Sequence, residues 1–245
     1  MADNPYYQSA YGYAETHPAY AGARAAVDLR PLFTRAFGWM AVGLLLSAAA
    51  AALVLNVPAL QQLVLGNRLV FFGLMIAELA VVWILSARIH RMSVPAATLG
   101  FLGYAAMNGL TLSVFAFAYT TASIASVFVI TSLTFAFMAL WGATTKRDLS
   151  SWGSILIMAL IGVIVAMIVN LFMNSSVLGW IISIVGVLVF VGLTAYDVQK
   201  LKTMAADVDG EVTLGRLGIL GALTLYLDFV NLFLFLLRIL GGRRD

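Results

Sequence analysis

The chain has 245 residues, of which 62% are hydrophobic and only 10% charged, and its mean hydropathy is +1.00. A soluble domain carries about 25% charged residues, so this composition excludes an ordinary water-soluble fold and leaves an all-α, polytopic membrane protein. There is no cysteine, which removes disulfides, zinc–thiolate sites and thiol catalysis, and a net charge of +3 gathered near one membrane face argues for topology control rather than nucleic-acid binding.

Residues 1–30 read as a polar Ala/Tyr-rich tail (Tyr6, Tyr7, Tyr11, Tyr13, Tyr20) with no apolar periodicity. Such a segment cannot bury enough apolar surface to order itself and is expected to be disordered. A tyrosine-based docking role is the functional alternative. No apolar signal-peptide core precedes residue 30.

From residue 31 onward the chain reads as one membrane domain, 31–245. A bilayer core takes about 20 apolar residues of helix, and seven such runs occur near 34–56, 69–88, 94–118, 122–144, 152–173, 176–200 and 215–239. Tight turn signals at Tyr119-Thr120-Thr121 and Asn174-Ser175-Ser176 make consecutive helices antiparallel neighbours. With the N-terminus in the cytoplasm, the inner segments hold Arg24, Arg30, Arg35, Arg88, Arg91, Lys146, Arg147, Lys200, Lys202 and Arg216, ten of the fourteen basic residues. The positive-inside rule therefore predicts a cytoplasmic N-terminus. Arg238, Arg243 and Arg244 run against it if the seventh run crosses; a re-entrant last helix is the other possibility, and crossing is the reading adopted.

Ionisable groups inside the runs are few: Glu78 in the second, Asp197 in the sixth and Asp228 in the seventh. A charge at membrane depth costs several kcal/mol, so each is a functional-site hypothesis. Gly221, Thr224, Asp228 and Asn231 share one face of the seventh run, and Tyr104, Asn108 and Thr111 form a weaker stripe on the third. A helix with a wet stripe packs against other helices, which makes the seventh central; Thr224, Asn231 and Asn108 are supporting hydrogen-bond partners. The sixth and seventh helices join by a short cytoplasmic loop, so Asp197 and Asp228 are expected to be neighbours. By residue count, however, Asp228 lies several turns deeper than Asp197. If they meet, two like charges about 4 Å apart repel by of order 4 kcal/mol at an effective dielectric near 20, so the pair would share a proton and titrate as a unit. Simpler readings stand beside these: Asp197 paired with Lys200 or Lys202, Glu78 as a satisfied buried acid, and Arg88 as a snorkelling anchor.

No His-Glu-x-x-His motif, buried Ser-His arrangement or Gly-rich phosphate loop is present. Intramembrane aspartyl proteolysis needs two acids on neighbouring helices, but no signature of that chemistry surrounds these two, and the chain reads as no enzyme with no cofactor.

Gly192–Lys202 and Gly221–Arg238, together with Thr145-Lys146-Arg147-Asp148-Leu149-Ser150, resemble the Bax-inhibitor family of calcium-leak membrane proteins. The resemblance implies six helices wrapped around a hydrophobic seventh, and a pH-dependent calcium leak gated by a di-aspartyl pair, here Asp197 and Asp228. It also implies an arginine latch on the first acid, for which Arg88 is the nearest residue, and a second-helix glutamate matching Glu78. Calcium prefers hard oxygen ligands, which makes Asp197, Asp228 and Glu78 the transient calcium ligands, with calcium the permeant species. The partners are lipid, calcium ions and protons. A non-conducting regulator that binds and restrains a membrane protease or another membrane protein is the alternative function, and the location is a bacterial inner membrane.

Overall fold

The computed structural model describes residues 29–206 and 211–244. The Ala/Tyr-rich tail lies outside them up to residue 28. The described residues form eight α-helices: α1 (Arg30–Asn56), α2 (Pro58–Val64), α3 (Arg68–Arg88), α4 (Val94–Ala118), α5 (Thr121–Thr144), α6 (Ser150–Met173), α7 (Ser176–Ala206) and α8 (Glu211–Leu240). All but α2 are long and apolar enough to cross a membrane, and they coincide with the seven apolar runs. The protein is an all-α, multi-pass membrane protein.

Local chemistry sets the helix ends. The Asn67 side chain accepts from the backbone N–H of Leu69 (3.0 Å) and Val70 (3.4 Å) and starts α3. Ser93 and Thr120 cap α4 and α5 in the same way, accepting from Ala96 and Ser123. These side chains satisfy N–H groups that a helix start leaves without partners. Asn174 takes the left-handed conformation (φ 47°) that reverses the chain between α6 and α7, a geometry Asn tolerates better than most residues. Its neighbour Ser175 donates its N–H to the Asn170 side chain at 3.1 Å. The short α2 falls in the connection after the first span, where Pro58 pre-sets the first helical turn.

α8 is the buried helix. Of its most apolar stretch 67% is buried inside the protein, against 6% for α3 and for α6. It packs directly against α1, α4, α5 and α7, whereas α3 makes its main contact with α4 and α6 with α7. The arrangement is thus four helices on α8 with two more laid outside them. The outer two present Leu69, Phe72, Ile76, Trp83, Ile155 and Phe172 outward, side chains that belong in hydrocarbon rather than water.

Close backbone approach draws α5 onto α7. At Gly142 a Cβ would collide with the backbone of Ala195, two residues before Asp197. Such small-residue contacts are how helices associate in lipid, where no hydrophobic drive separates helix from solvent.

The last helix crosses without interruption. Arg35 and Ala36 of α1 touch Gly218 and Gly221 near its beginning. Its far end leads into a short strap, residues 241–244, that docks on the α4–α5 turn. Thr120 donates its N–H to the Gly242 carbonyl and Arg244 to the Ala118 carbonyl, both at 3.1 Å, and Tyr119 and Arg243 form an antiparallel bridge. The strap therefore lies on the face opposite the one where α1 begins. The three arginines at this end do cross, tethered by backbone hydrogen bonds.

Candidate functional site

α7 and α8 run antiparallel, and their register is fixed by three contacts. Leu201 packs on Gly221, Phe190 stacks on Phe235 with ring centroids 5.9 Å apart, and between them Asp197 is hydrogen-bonded to Asp228, carboxyl to carboxyl. Asp228 is 4% exposed and its Oδ2 has no hydrogen-bond partner; Asp197 is half-buried. A carboxylate only accepts, so two carboxyls can be joined by a hydrogen bond only through a proton carried by one of them. The two carboxyls thus face each other across the α7–α8 contact, as expected for neighbouring helices.

The depth difference counted along the sequence disappears for a structural reason. α7 does not stop at Lys200 but continues to Ala206, and α8 begins at Glu211. Carrying the register of Leu201 and Gly221 downward sets Ala206 level with Arg216. The first turn of α8 therefore projects past the end of α7. Counting residues from each helix end assumed flush ends; the helices are staggered.

Around Asp197 the helix carries a set of clamps that the sequence reading did not single out. Gln199 accepts the Leu149 N–H at its Oε1 and donates its Nε2 to the Arg147 carbonyl, both at 2.8 Å. Lys202 donates its Nζ to the Ala143 carbonyl at 3.0 Å, near the end of α5. The segment Thr145–Ser150 is thereby fastened to the helix that bears Asp197, which joins two of the three motifs noted in the sequence. Asp148 in that segment accepts from the hydroxyl and the N–H of Ser150, which holds its exposed carboxyl below the usual range. Lys200 is the cation that acts on Asp197, and its Nζ sits 5.8 Å from the centroid of the Tyr196 ring.

The other polar candidates lie elsewhere. Arg88, the expected latch, is exposed at the end of α3 and makes no ion pair with Asp197 or Asp228; a surface cavity beside it is lined by Ala87, Arg88, Arg91 and Met92. The reason is topological, since α3 packs on α4 rather than on α7. Thr224 is half-buried one turn before Asp228, and Asn231 spends its amide on the Leu227 carbonyl of its own helix at 2.8 Å.

Glu78 belongs to a second site. Its Oε1 accepts the Thr111 hydroxyl at 2.8 Å and its Oε2 the Asn108 Nδ2 at 3.2 Å. The Asn108 Oδ1 accepts the Tyr226 hydroxyl at 2.9 Å, and the Tyr226 oxygen lies 2.6 Å from the Ser47 Oγ. Glu78 from α3 is thus joined through α4 and α8 to α1. Among the described residues no three acidic, His or Cys side chains come together. The oxygen donors expected for calcium are therefore divided, two at the aspartate pair and one at Glu78. Tyr226 and Ser47 escaped the sequence reading because a tyrosine or serine in an apolar run carries no charge to flag it; the signal available was the Tyr226-Leu227-Asp228 spacing.

Comparison with known proteins agrees with this architecture. A family described as "Inhibitor of apoptosis-promoting Bax1" matches residues 29–245. The chain is 51% identical over 218 residues to the inner membrane protein YbhL of Escherichia coli strain K12, covering 88% of this chain and 93% of that protein. It is 44% identical over 219 residues to an uncharacterized protein of Deinococcus radiodurans, covering 89% and 93%. A membrane protein of Streptococcus pyogenes serotype M3 is 38% identical over 218 residues, covering 88% and 94%. Seven membrane-spanning helices, a buried last helix with its acid against the acid of the preceding one, and a match over nearly the whole chain place this protein in the Bax inhibitor family.

Proposed function

We propose that the protein is a pH-sensitive calcium leak channel of a bacterial inner membrane, with its N-terminus in the cytoplasm and its gate at the Asp197–Asp228 pair. The observation that carries this reading is the carboxyl–carboxyl hydrogen bond between two membrane-spanning helices, one acid of which is buried. While one proton is shared, the bond ties α7 to α8 and hides both carboxylates. When that proton leaves, two like charges stand side by side in a medium of low dielectric, and the contact turns from attractive to repulsive. A gate built this way answers to pH without consuming a substrate, so no chemical step is assigned to the protein. Calcium would pass as a transient ligand of the freed carboxylates, since six to eight oxygens are its usual complement and the pair offers few.

The clamps of Gln199 and Lys202 give the gate a fixed side. They hold α7 to the α5–α6 connection, so separation of the acids is a displacement of α8 against an anchored α7. An arginine latch from Arg88 would need α3 to approach α7, and it enters this reading only as a contact of another conformation.

Purified protein in liposomes loaded with a calcium dye tests the reading. Flux should depend on pH, and both Asp197→Asn and Asp228→Asn should flatten that dependence. Absence of flux at every pH would overturn the channel and favour a non-conducting regulator of a membrane partner.

A further inference from the structure

α3 runs straight into a 3-10 turn, Ile89–Arg91, closed by the Met92 N–H, which donates to the Arg88 carbonyl at 3.1 Å. Residues three apart line up along one edge of such a turn, so Arg88 and Arg91 stand on the same side of it. Ile89 between them is 1% exposed and fixes the turn to the core. Both arginines are exposed, and with Ala87 and Met92 they line a surface cavity of about 690 Å³. Among the described residues, no acidic side chain lines it.

The place of this cavity is as telling as its lining. It lies at the face where α1 and α8 begin, since Val94, two residues beyond Met92, lies against Gly215 of α8, and Arg35 of α1 against Gly218. α3 is also one of the two outer helices, and its exposed side chains include Phe72, Ile76, Leu79 and Trp83. These recur at steps of four, three and four residues, and one further step of four reaches Ala87. That spacing marks one face of a helix. A continuous apolar strip, about 22 Å long at 1.5 Å per residue, therefore runs along the outside of α3 and ends at the cavity. Trp83 is 72% exposed and lies five residues short of Arg88, about 7.5 Å along the axis. Indole rings collect near the headgroup level of a bilayer.

An apolar strip leading to two guanidinium groups matches the layout of a phospholipid, acyl chains below and phosphate above. A guanidinium is a planar fork that fits two phosphate oxygens at once. Two of them offer more positive charge than one phosphodiester carries, so a zwitterionic headgroup, which brings its own cation, fits the cavity less well than an anionic one. Basic pockets at the ends of membrane helices take anionic headgroups for this reason. Snorkelling alone accounts for one arginine at a helix end, but not for a second on the same side of the following turn, lining the same cavity.

We propose that the cavity at Arg88 and Arg91 is a binding site for the phosphate of an anionic phospholipid whose acyl chains lie along Phe72, Ile76, Leu79 and Trp83. The site stands apart from the calcium reading, because the lipid binds whether or not an ion passes.

Tryptophan fluorescence of the full-length protein in phosphatidylcholine liposomes tests it, with phosphatidylglycerol brominated on its acyl chains as the quenching probe. Quenching should contain a component that saturates at a low mole fraction of phosphatidylglycerol and is lost in Trp83→Phe. Arg88→Gln combined with Arg91→Gln should raise the half-saturating mole fraction by about fivefold per arginine, while brominated phosphatidylcholine quenches both proteins alike. Absence of a saturable component would overturn the proposal, as would one that survives unchanged in Trp83→Phe or in the double arginine variant. So would an equal weakening by Lys146→Gln with Arg147→Gln, two exposed cations on the α5–α6 connection outside the cavity, since surface charge would then be sufficient. Added inorganic phosphate should leave the lipid bound; its release would make the cavity a site for a soluble anion and overturn the lipid assignment. Trp83→Phe is a conservative change at an exposed position, so the decision stands even if the double arginine variant fails to fold.

Discussion

On one side of α8, Asp228 meets another carboxyl, Asp197 of α7; on the other, Tyr226 leads through Asn108 to Glu78, a lone carboxyl met by neutral donors. Two residues on a helix are about 200° apart, so these two sites stand back to back. In the first, two like groups face each other, so a change of charge acts directly on the contact between two helices. In the second, Thr111 and Asn108 both donate to a single carboxylate. Both sites hold an acid at membrane depth, one against a second acid and the other against neutral donors.

Substitution at the aspartate pair should have the largest effect and would break the comparison if it did not. A hydrogen bond to a charged group contributes about 1.5–3 kcal/mol, and each 1.36 kcal/mol is tenfold. Asp228→Asn should therefore change the pH-dependent component of calcium flux by about tenfold or more, as read in dye-loaded liposomes, with Asp197→Asn close to it. Cutting the other site sharpens the contrast. Tyr226→Phe leaves the Asn108 Oδ1 without its donor, and an interhelical hydrogen bond in a membrane is worth about 0.6 to 2 kcal/mol. Thermal unfolding in detergent should show that loss, while the pH dependence of flux that belongs to the aspartates should persist.

The clamp behind Asp197 should matter less. Gln199→Leu removes two bonds to the Arg147–Leu149 segment, each worth about 0.5–1.5 kcal/mol. Protease sensitivity of the α5–α6 connection should rise, with a smaller change in flux than at either aspartate; a larger one would move the gate from the acid pair to the loop. Arg88→Ala should have the least effect, since an exposed side chain away from packed features shifts stability by within about 0.5 kcal/mol. Flux unchanged in that variant agrees with α3 standing apart from α7. A flattened pH response would show instead that Arg88 reaches the aspartates in another conformation.

Much of the fold was legible because lipid enforces it. The seven apolar runs coincide with the seven spanning helices to within a few residues at most ends. The exceptions are instructive: α1 starts at Arg30 rather than residue 34, α7 runs on to Ala206, and α8 starts at Glu211 rather than residue 215. In each case the added residues include a charged one (Arg30, Lys202, Glu211), which ends an apolar run without ending the helix. The short α2 was missed, being too brief to leave a periodic signal. Asp197 and Asp228 were legible as a pair because acids in apolar helices are rare and expensive, and a short connection makes neighbours of the two helices.

Sequence by itself determined the membrane class, the number and order of spans, and the acids that stand out against an apolar background, because the exclusion of charge from hydrocarbon acts residue by residue. Only the tertiary structure decided who meets whom. The stagger of α7 and α8 brought the aspartates level. The packing of α3 on α4 gave Glu78 to Asn108 and Thr111 and left Arg88 exposed. Stagger and rotation are set by many small contacts at once, such as Gly142 against Ala195 and Gly221 against Leu201, and a hydrogen bond, unlike burial, exists only when both partners arrive at the same height and face.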